Sequence, residues 1–272
     1  MTAILRILGL ALWVLAAAPA GAQPLPIFDA HIHYSRPDWD SLTPERVLTI
    51  LRQANVRRAI VSSTPDDGTL KLYDAMPSMI VPFLRPYRTR DDMATWPRDP
   101  AVAAYVEARL TRGVYKGLGE FHLGGADADA PVVRRLAELA VQHGLFLHGH
   151  VDADTADKLL TLYPRVRILW AHAGMSASPA TVGRLVDRSR NLWVELSLRS
   201  DVAPGGTLDP DWLALFLRHP DRFLVGTDTW TTSRWDVVAD SMRDVQRWLG
   251  QLPRDVAERI AHRNGETLFP GP

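Results

Sequence analysis

The sequence predicts a (β/α)8 TIM barrel, regular or distorted, that forms a single domain. Eight short apolar runs of β-like composition alternate along the chain with longer segments of helical periodicity. Short strands that alternate with amphipathic helices indicate parallel strands joined by right-handed crossovers. Eight such units in about 250 residues match the usual size of this barrel. We find no internal repeat, low-complexity tract or change in composition that would indicate a second domain.

The β-like runs are, in order, IFDAHIH, VRRAIVSST, MIVPFLRPY, VYKGLGEFHL, LFLHGHV, VRILWAH, LWVELSLR and RFLVGTD. The helical patterns include TPERVLTILRQAN, PAVAAYVEARLTR, APVVRRLAELAVQHG, ADTADKLLTLYP, SPATVGRLVDRSR and DPDWLALFLRHP, and two more follow the eighth run. An open doubly wound sheet is the alternative. Its dinucleotide-binding form is not favoured, because no G-x-G-x-x-G turn follows the first run.

Several helix ends carry clear signals. Thr43 precedes Pro44, which places a capping hydroxyl before a first-turn proline. Asp129 and Asp154 are candidate caps for later helices, and Gly144 is placed to end one as a C-terminal glycine.

The first 22 residues predict a secretory signal peptide, which leaves residues 23–272 as the barrel domain. Arg6 precedes an apolar core from Ile7 to Ala18, and Ala20-Gly21-Ala22 forms a small-x-small cleavage site. An uncleaved membrane anchor is the alternative, but the apolar core is short for a span of about 20 residues. We therefore expect an exported protein, periplasmic or secreted, with no membrane association after cleavage.

Composition restricts the chemistry further. The chain has no cysteine, which excludes disulfides and thiolate ligands, so any metal is held by nitrogen and oxygen. Thirty-one basic residues balance 31 acidic ones, so no overall field attracts nucleic acid. We expect a small-molecule substrate and no nucleic-acid partner, and the sequence leaves the oligomeric state open.

Histidines and carboxylates gather at the ends of the predicted strands, where chemistry takes place in such barrels. His31 and His33 are one residue apart on one strand and therefore point to the same side. The other strand-end residues of this kind are Glu120, His122, His148, His150, His172 and Asp228. This set predicts a metal centre. A lone histidine in such a place is more often a packed or rim residue.

The remaining histidines, His143, His219 and His262, lie near the ends of helical patterns. An imidazolium there interacts favourably with exposed carbonyls and the helix dipole. We expect no role for them in the metal centre.

Together the motifs resemble the amidohydrolase superfamily. The matching segments are FDAHIH, GLGEFHL, FLHGH, WAHAG and VGTD, and the closing RNGETLF resembles the N-x-x-x-L-F ending of the amidohydrolase-related branch. The resemblance runs from Phe28 to Phe269. H-x-H alone is a weak signal, whereas the combination is specific.

The resemblance implies a role for each matching residue. His31 and His33 correspond to ligands of the more buried metal, and Asp228 completes that site. Glu120 corresponds to the bridging carboxylate of TatD-like members. Other two-metal members carry a carbamylated lysine on this strand, but Lys116 lies too near the start of the strand for that role.

Strand five offers His148 or His150 as a ligand, and both face the same side. The family pattern does not decide between them, although His148 directly ends the apolar run and is slightly favoured. His172 corresponds to a ligand of the second metal in two-metal members, or to a catalytic imidazole in one-metal members.

These residues predict hydrolysis. A divalent ion with an open position lowers the pKa of its bound water from 15.7 toward about 7. Asp228 is the candidate general base, and a histidine or second metal polarises the substrate oxygen, for which His172 and His148 are placed. Zinc suits mixed nitrogen and oxygen ligands, with manganese, iron or nickel as alternatives and one or two ions per chain.

Three further residues are candidate substrate contacts. Arg85 and Arg199 end strands three and seven, and either guanidinium can clamp a carboxylate or phosphate. An ordinary ion pair, for example with Asp201, is the alternative. Trp230 follows Asp228 closely and either walls the pocket or packs at its rim.

The leading hypothesis is therefore a hydrolase that cleaves a C–O or C–N bond in a lactone, ester or amide. A one-metal, non-oxidative decarboxylase and a TatD-like phosphodiesterase are alternatives within the same superfamily. The non-enzymatic alternative is an exported barrel that binds a metal or ligand without converting it.

Overall fold

Eight parallel strands form one sheet that curls into a nearly closed barrel, which confirms the predicted fold. In the computed structural model, residues 24–271 are described. The predicted signal peptide, residues 1–22, lies outside them. The strands pair in sequence order from the first to the eighth. A bridge between Asp29 and Val225 brings the eighth strand against the first.

The strands are β1 (Ile27–Ile32), β2 (Val56–Val61), β3 (Ile80–Leu84), β4 (Gly117–His122), β5 (Phe146–His150), β6 (Arg167–Trp170), β7 (Leu192–Glu195) and β8 (Phe223–Leu224). The helices are α1 (Pro44–Gln53), α2 (Asp67–Ala75), α3 (Pro100–Leu110), α4 (Pro131–His143), α5 (Ala153–Leu162), α6 (Pro179–Arg188), α7 (Pro210–Arg218), α8 (Val238–Leu249), α9 (Arg254–Glu258) and α10 (Asn264–Leu268). None of these helices is long and apolar enough to cross a membrane.

All eight predicted strands are present, but β8 is short and one helix was not predicted. The strand β8 spans two residues, and beyond it the chain makes only an isolated bridge from Val225 to Asp29 before Asp228 adopts a left-handed φ of 51°. The pattern predicted no helix between the second and third strands, where the structure has α2. This helix is short and its buried side carries Gly68 and Thr69 beside two leucines, so its periodicity is weak.

The predicted caps are correct at two ends and wrong at two others. Thr43 caps α1 through the backbone N–H of Arg46, and Gly144 ends α4 with a left-handed φ of 64°. Asp129 does not cap α4, because Pro131 fixes the first turn one residue later and leaves Ala130 at the cap position. Asp152, rather than Asp154, caps α5 by accepting from the N–H of Thr155.

The interior of the barrel is filled from below by aromatic and aliphatic side chains. Phe269 follows α10 and enters the bottom of the barrel, where its ring lies 4.9 Å from that of Phe146 and 5.6 Å from that of Phe83. The Asn264 side chain holds this segment by donating to the carbonyls of Pro220 and Phe223 at 2.9 Å. The RNGETLF ending therefore closes the floor of the barrel, and the opposite end stays open.

Candidate metal centre

The open end of the barrel brings the predicted site residues together from five strands. His31 and His33 come from the end of β1, Glu120 from β4, and His148 and His150 from β5. His172 follows β6 and Asp228 follows β8. All of them except His150 are buried. Residues almost 200 positions apart therefore share one space at the strand ends.

The first cluster surrounds one oxygen of Glu120. The Nε2 atoms of His31 and His33 lie 3.2 Å apart. Oε2 of Glu120 is 3.2 Å from Nε2 of His33 and 3.5 Å from Nε2 of His31. Oδ1 of Asp228 is 3.4 Å from Nε2 of His33 and 3.7 Å from Nε2 of His31. Four potential ligand atoms thus face a common point.

The second cluster surrounds the other oxygen of the same carboxylate. Oε1 of Glu120 is 3.0 Å from Nδ1 of His150 and 3.4 Å from Nε2 of His172. Nε2 of His172 is also 3.9 Å from Oδ2 of Asp228. Glu120 consequently bridges the two clusters, with one oxygen in each.

These separations fit metal ligation. Zinc–nitrogen and zinc–oxygen distances are about 2.0–2.2 Å, so ligands of one ion lie roughly 3.0–3.5 Å from one another. Most of the separations in both clusters fall in or near this range. Nε2 of His172 is buried without a hydrogen-bond partner among the described residues, as expected for an atom whose partner is an ion.

The other ring nitrogens of these histidines face the surrounding protein. Nδ1 of His31 lies 2.9 Å from Oε2 of Glu195, and Nδ1 of His33 lies 2.5 Å from the carbonyl of Ser62. Nδ1 of His172 lies 3.1 Å from the carbonyl of Ser197. With Nδ1 directed outward to oxygen atoms, each Nε2 is left to face the centre.

Buried carboxylates and imidazoles shift one another's pKa values in the site. Burial disfavours ionisation of Glu120, but His31 and the hydrogen-bonding imidazoles hold its pKa well below the ordinary value. Burial likewise opposes the charge on Asp228, and His31 and His33 lower its pKa below the ordinary value. Burial also opposes the charge on His31, while the carboxylates of Asp228, Glu120 and Glu195 raise its pKa well above the ordinary value. The buried carboxylates thus attract positive charge, which either protons on the imidazoles or a bound cation can supply.

The two histidines of β5 occupy different depths. His150 reaches Glu120, as described, whereas both ring nitrogens of His148 are buried without a partner among the described residues. The ring of His148 lies below the site, 4.7 Å from the ring of His31 and 6.0 Å from that of Phe83. Burial and the neighbouring His31 lower the pKa of His148 well below the ordinary value. The geometry favours His150 over the sequence-preferred His148 at the Glu120 carboxylate.

The strand-four histidine borders the second cluster, and with Glu120 and His150 it forms a group whose potential ligand atoms lie within 4.8 Å of one another. The His122 ring stacks on the His150 ring, with centroids 4.4 Å apart. Burial lowers the pKa of His122 to about 4, so its imidazole is neutral at pH 7.

The two arginines predicted as substrate contacts are engaged differently. The buried Arg85 donates from Nε to the carbonyl of Glu120 and from Nη2 to its Oε2, both at 2.9 Å. It therefore orients the bridging carboxylate and also borders the cavity.

Arg199 lies behind the site. It forms two 2.7 Å contacts with the carboxylate of Asp201 and donates to the carbonyls of His172 and Ala173. These contacts favour the ion-pair alternative over a substrate clamp, because the guanidinium is already occupied by protein acceptors. They also support the left-handed backbone at His172 and Ala173, where φ is 55° and 46°.

A cavity of about 930 Å³ opens above the two clusters. Glu120, His150 and Asp228 border its floor. Its walls combine apolar side chains, among them Met175, Leu198 and Trp230 with 55 % of its surface exposed, with the arginines Arg36, Arg88 and Arg90. Of the two positions predicted for Trp230, the pocket wall and the rim, this arrangement favours the wall.

Among the buried residues that contact the site, sequence reasoning missed the carboxylate of Glu195. Glu195 ends β7 and is completely buried beside His31. Its signal was present in LWVELSLR, where a single carboxylate interrupts an apolar run at a strand end. The three histidines excluded from the centre lie elsewhere, and His219 and His262 pair with Asp187 and Glu266.

A (β/α)8 barrel with histidines and carboxylates at the open ends of its strands defines a metal-dependent hydrolase, and the protein is an enzyme of this type. More particularly, the chain belongs to the amidohydrolase family, because the sequence model of that family matches residues 28–271. The superfamily predicted from the motifs is thereby confirmed. A search of curated proteins finds no match to the sequence.

Several solved structures share the fold. A probable 2-pyrone-4,6-dicarboxylic acid hydrolase from Acinetobacter baumannii with bound citric acid has a TM-score of 0.62 and 12 % identity, covering 90 % of this chain and 99 % of that chain. An amidohydrolase from Burkholderia multivorans with bound zinc has a TM-score of 0.60 and 15 % identity, with the same coverage. A TatD homologue from Escherichia coli has a TM-score of 0.62 and 18 % identity, covering 91 % of this chain and 99 % of that chain.

Proposed function

We propose that this enzyme hydrolyses a C–O or C–N bond of a small lactone, ester or amide at a centre that holds two divalent cations. The observation that carries the proposal is the Glu120 carboxylate, whose two oxygens face separate groups of imidazole nitrogens. In this proposal His31, His33 and Asp228 hold the first ion, and His150 and His172 hold the second. Zinc is the preferred ion, supported by the donor set and by the zinc-bound B. multivorans structure.

When bound, the ions supply a water of lowered pKa and polarise the oxygen of the scissile bond. The chain contributes a proton acceptor, since the ionised carboxylate of Asp228 borders the cavity. Arg85 keeps Glu120 in its bridging orientation, and the neutral His122 stands beside the cavity as a hydrogen-bonding group. The apolar wall at Trp230 is suited to hold the carbon skeleton of a substrate.

The charges around the cavity support a carbonyl substrate over a phosphodiester. The Arg85 guanidinium pairs with Glu120, and Arg88 pairs with Asp92 and Asp99. These two cations are therefore neutralised before a substrate binds, and Arg36 pairs with Asp40, whereas Arg90 has no ion-pair partner among the described residues. The A. baumannii relative is named for hydrolysis of a pyrone, which is a cyclic ester, and this also supports the choice of bond.

Metal analysis joined to a substrate panel tests the proposal. We expect two zinc ions per purified chain and turnover within a panel of lactones, esters and amides, with no activity on bis-(p-nitrophenyl) phosphate. His31→Ala should lose metal and activity together, whereas His143→Ala, on the surface end of α4, should lose neither. One ion per chain with release of carbon dioxide from a carboxylated substrate would instead establish the decarboxylase alternative.

We also propose that the protein is exported, with cleavage after Ala22. The support is the sequence of residues 1–22, which precede the described part of the chain. A mature periplasmic or secreted form that begins at Gln23 is the expected result of mass spectrometry, and a cytoplasmic form that retains Met1 would contradict it.

A further inference from the structure

Glu195 is a buried carboxylate that no part of the proposed chemistry uses. It ends β7 with none of its surface exposed. Among the described residues, its ion-pair partners are two imidazoles, those of His31 and His172. A buried carboxylate with no lysine or arginine beside it is costly unless hydrogen-bond donors satisfy it. The hydrogen-bond donors around Glu195 therefore account for its burial.

Four donors converge on its two oxygens. Oε2 lies 2.9 Å from Nδ1 of His31 and accepts from Oγ of Ser197 at 2.9 Å and from the backbone N–H of His172 at 3.2 Å. Oε1 accepts from the backbone N–H of Ser197. An ionised carboxylate only accepts, so Nδ1 of His31 must carry the proton in this contact. In the neutral imidazole that a bound cation requires, Nε2 of His31 then carries the lone pair, and this atom faces Glu120 and Asp228.

The same carboxylate reaches the second cluster. Its bond to the backbone N–H of His172 holds a residue whose φ of 55° is unusual for a non-glycine side chain. Oγ of Ser197 connects it further, since this hydroxyl also lies 2.9 Å from Nδ1 of His172. Gly226 leaves the space that this arrangement needs, because a Cβ atom there would lie 2.4 Å from Oε1 of Glu195.

We propose that Glu195 is a positioning residue, which fixes the Nδ1–H form of His31 and the backbone of His172 so that their Nε2 atoms face the two cations. This inference rests on the proposed metal centre and adds to it a strand-seven residue that touches neither substrate nor ion. It also explains why a carboxylate occupies the apolar end of β7.

The Glu195→Gln variant tests the proposal with almost no change in side-chain shape. A glutamine has one acceptor oxygen, and its NH2 group must face donors that previously met a carboxylate oxygen. The Asp66→Asn variant is the matched control, because Asp66 is equally inaccessible yet bonds to Tyr115 away from the centre.

Two measurements use the full-length mature protein and Zn²⁺ alone. Chelator competition should give a zinc affinity about 10- to 100-fold weaker in Glu195→Gln and unchanged in Asp66→Asn. This range is typical for the loss of a residue that hydrogen-bonds to a metal ligand. Histidine-labelled NMR of the zinc-loaded wild type should show the proton of His31 on Nδ1. A thermal melt of the metal-free variants establishes that they remain folded.

The outcomes separate the two proposals. Tight zinc binding by wild type and Glu195→Gln alike, or a His31 proton on Nε2, would refute the role of Glu195 and leave the metal centre intact. No zinc binding by wild type would refute both. If Glu195→Gln does not fold, Glu195→Asp replaces it, because the shorter side chain withdraws from His31, and an unchanged zinc affinity would again refute the role.

Discussion

Replacement of Glu120 by glutamine should remove one cation and leave the other. Arg85 fixes the orientation of the new amide, since its Nη2 donates to Oε2 of Glu120 at 2.9 Å and needs an acceptor there. The amide oxygen therefore takes the Oε2 position, and the NH2 group takes the Oε1 position. A donor then faces His150 and His172, where the second ion has been proposed.

The magnitude follows from what each cluster loses. The second cluster has three potential ligand atoms close together, from Glu120, His150 and His172, and the variant removes one of them. We expect its ion to bind more weakly by at least about 100-fold. This is the upper end of the range for the loss of a residue that only hydrogen-bonds to a metal ligand. The first cluster keeps two imidazoles, Asp228 and an amide oxygen. A matching loss of at least about 100-fold in kcat/KM corresponds to about 3 kcal/mol.

Elemental analysis after dialysis, together with kcat/KM on the best substrate of the panel, is the assay. Glu107→Gln is the control, because it makes the same chemical change at a surface carboxylate that pairs with Arg135. The result expected is one ion per chain for Glu120→Gln and two for Glu107→Gln. Two tightly held ions and unchanged turnover in Glu120→Gln would show that this carboxylate does not bridge.

Two further predictions concern His150 and Asp66. His150→Ala should lose one zinc ion per chain by elemental analysis while His148→Ala keeps both, and the opposite pattern would assign the strand-five ligand to His148. Burial raises the pKa of Asp66 from 3.8 to about 6, so its contribution to stability is full below about pH 4 and is lost as the pH rises through 6. This difference between the pKa values of the folded and unfolded states corresponds to about 3 kcal/mol. Asp66→Asn should therefore raise Tm at pH 8 by up to about 6–12 °C and leave it nearly unchanged at pH 4. An equal Tm difference at both pH values in calorimetry would contradict this reasoning.

The sequence could predict the barrel and the identity of most residues at its open end. The reason is that strand ends converge in this fold. The motifs HxH, GEFH, HGH, AH and GTD stand at five strand ends, so their side chains are predicted to be neighbours without any knowledge of the loops. The closing segment RNGETLF could also be identified from the sequence, because it resembles a family motif. Only the structure shows that Asn264 anchors it and that Phe269 fills the barrel.

Depth and hydrogen bonding could not be predicted from the pattern. Residues at i and i+2 on a strand share a face but differ in height by about 6.6 Å, and this difference separates His148 from His150. Periodicity records which face a residue occupies and not how far it lies along the barrel axis. Glu195 was missed for a related reason. A carboxylate that hydrogen-bonds to a metal-ligating histidine, and not to the ion itself, belongs to no characteristic sequence motif.

The aromatic plug at the bottom of the barrel has a consequence for how the molecule comes into being. Phe269 follows Phe28 by 241 positions, yet its ring packs against Phe28 on the first strand and Phe146 on the fifth. The first strand can therefore meet this packing partner only after all the other strands of the barrel have been synthesised. Closing the floor of the barrel requires contacts between residues far apart in the chain, and contacts of this kind slow folding.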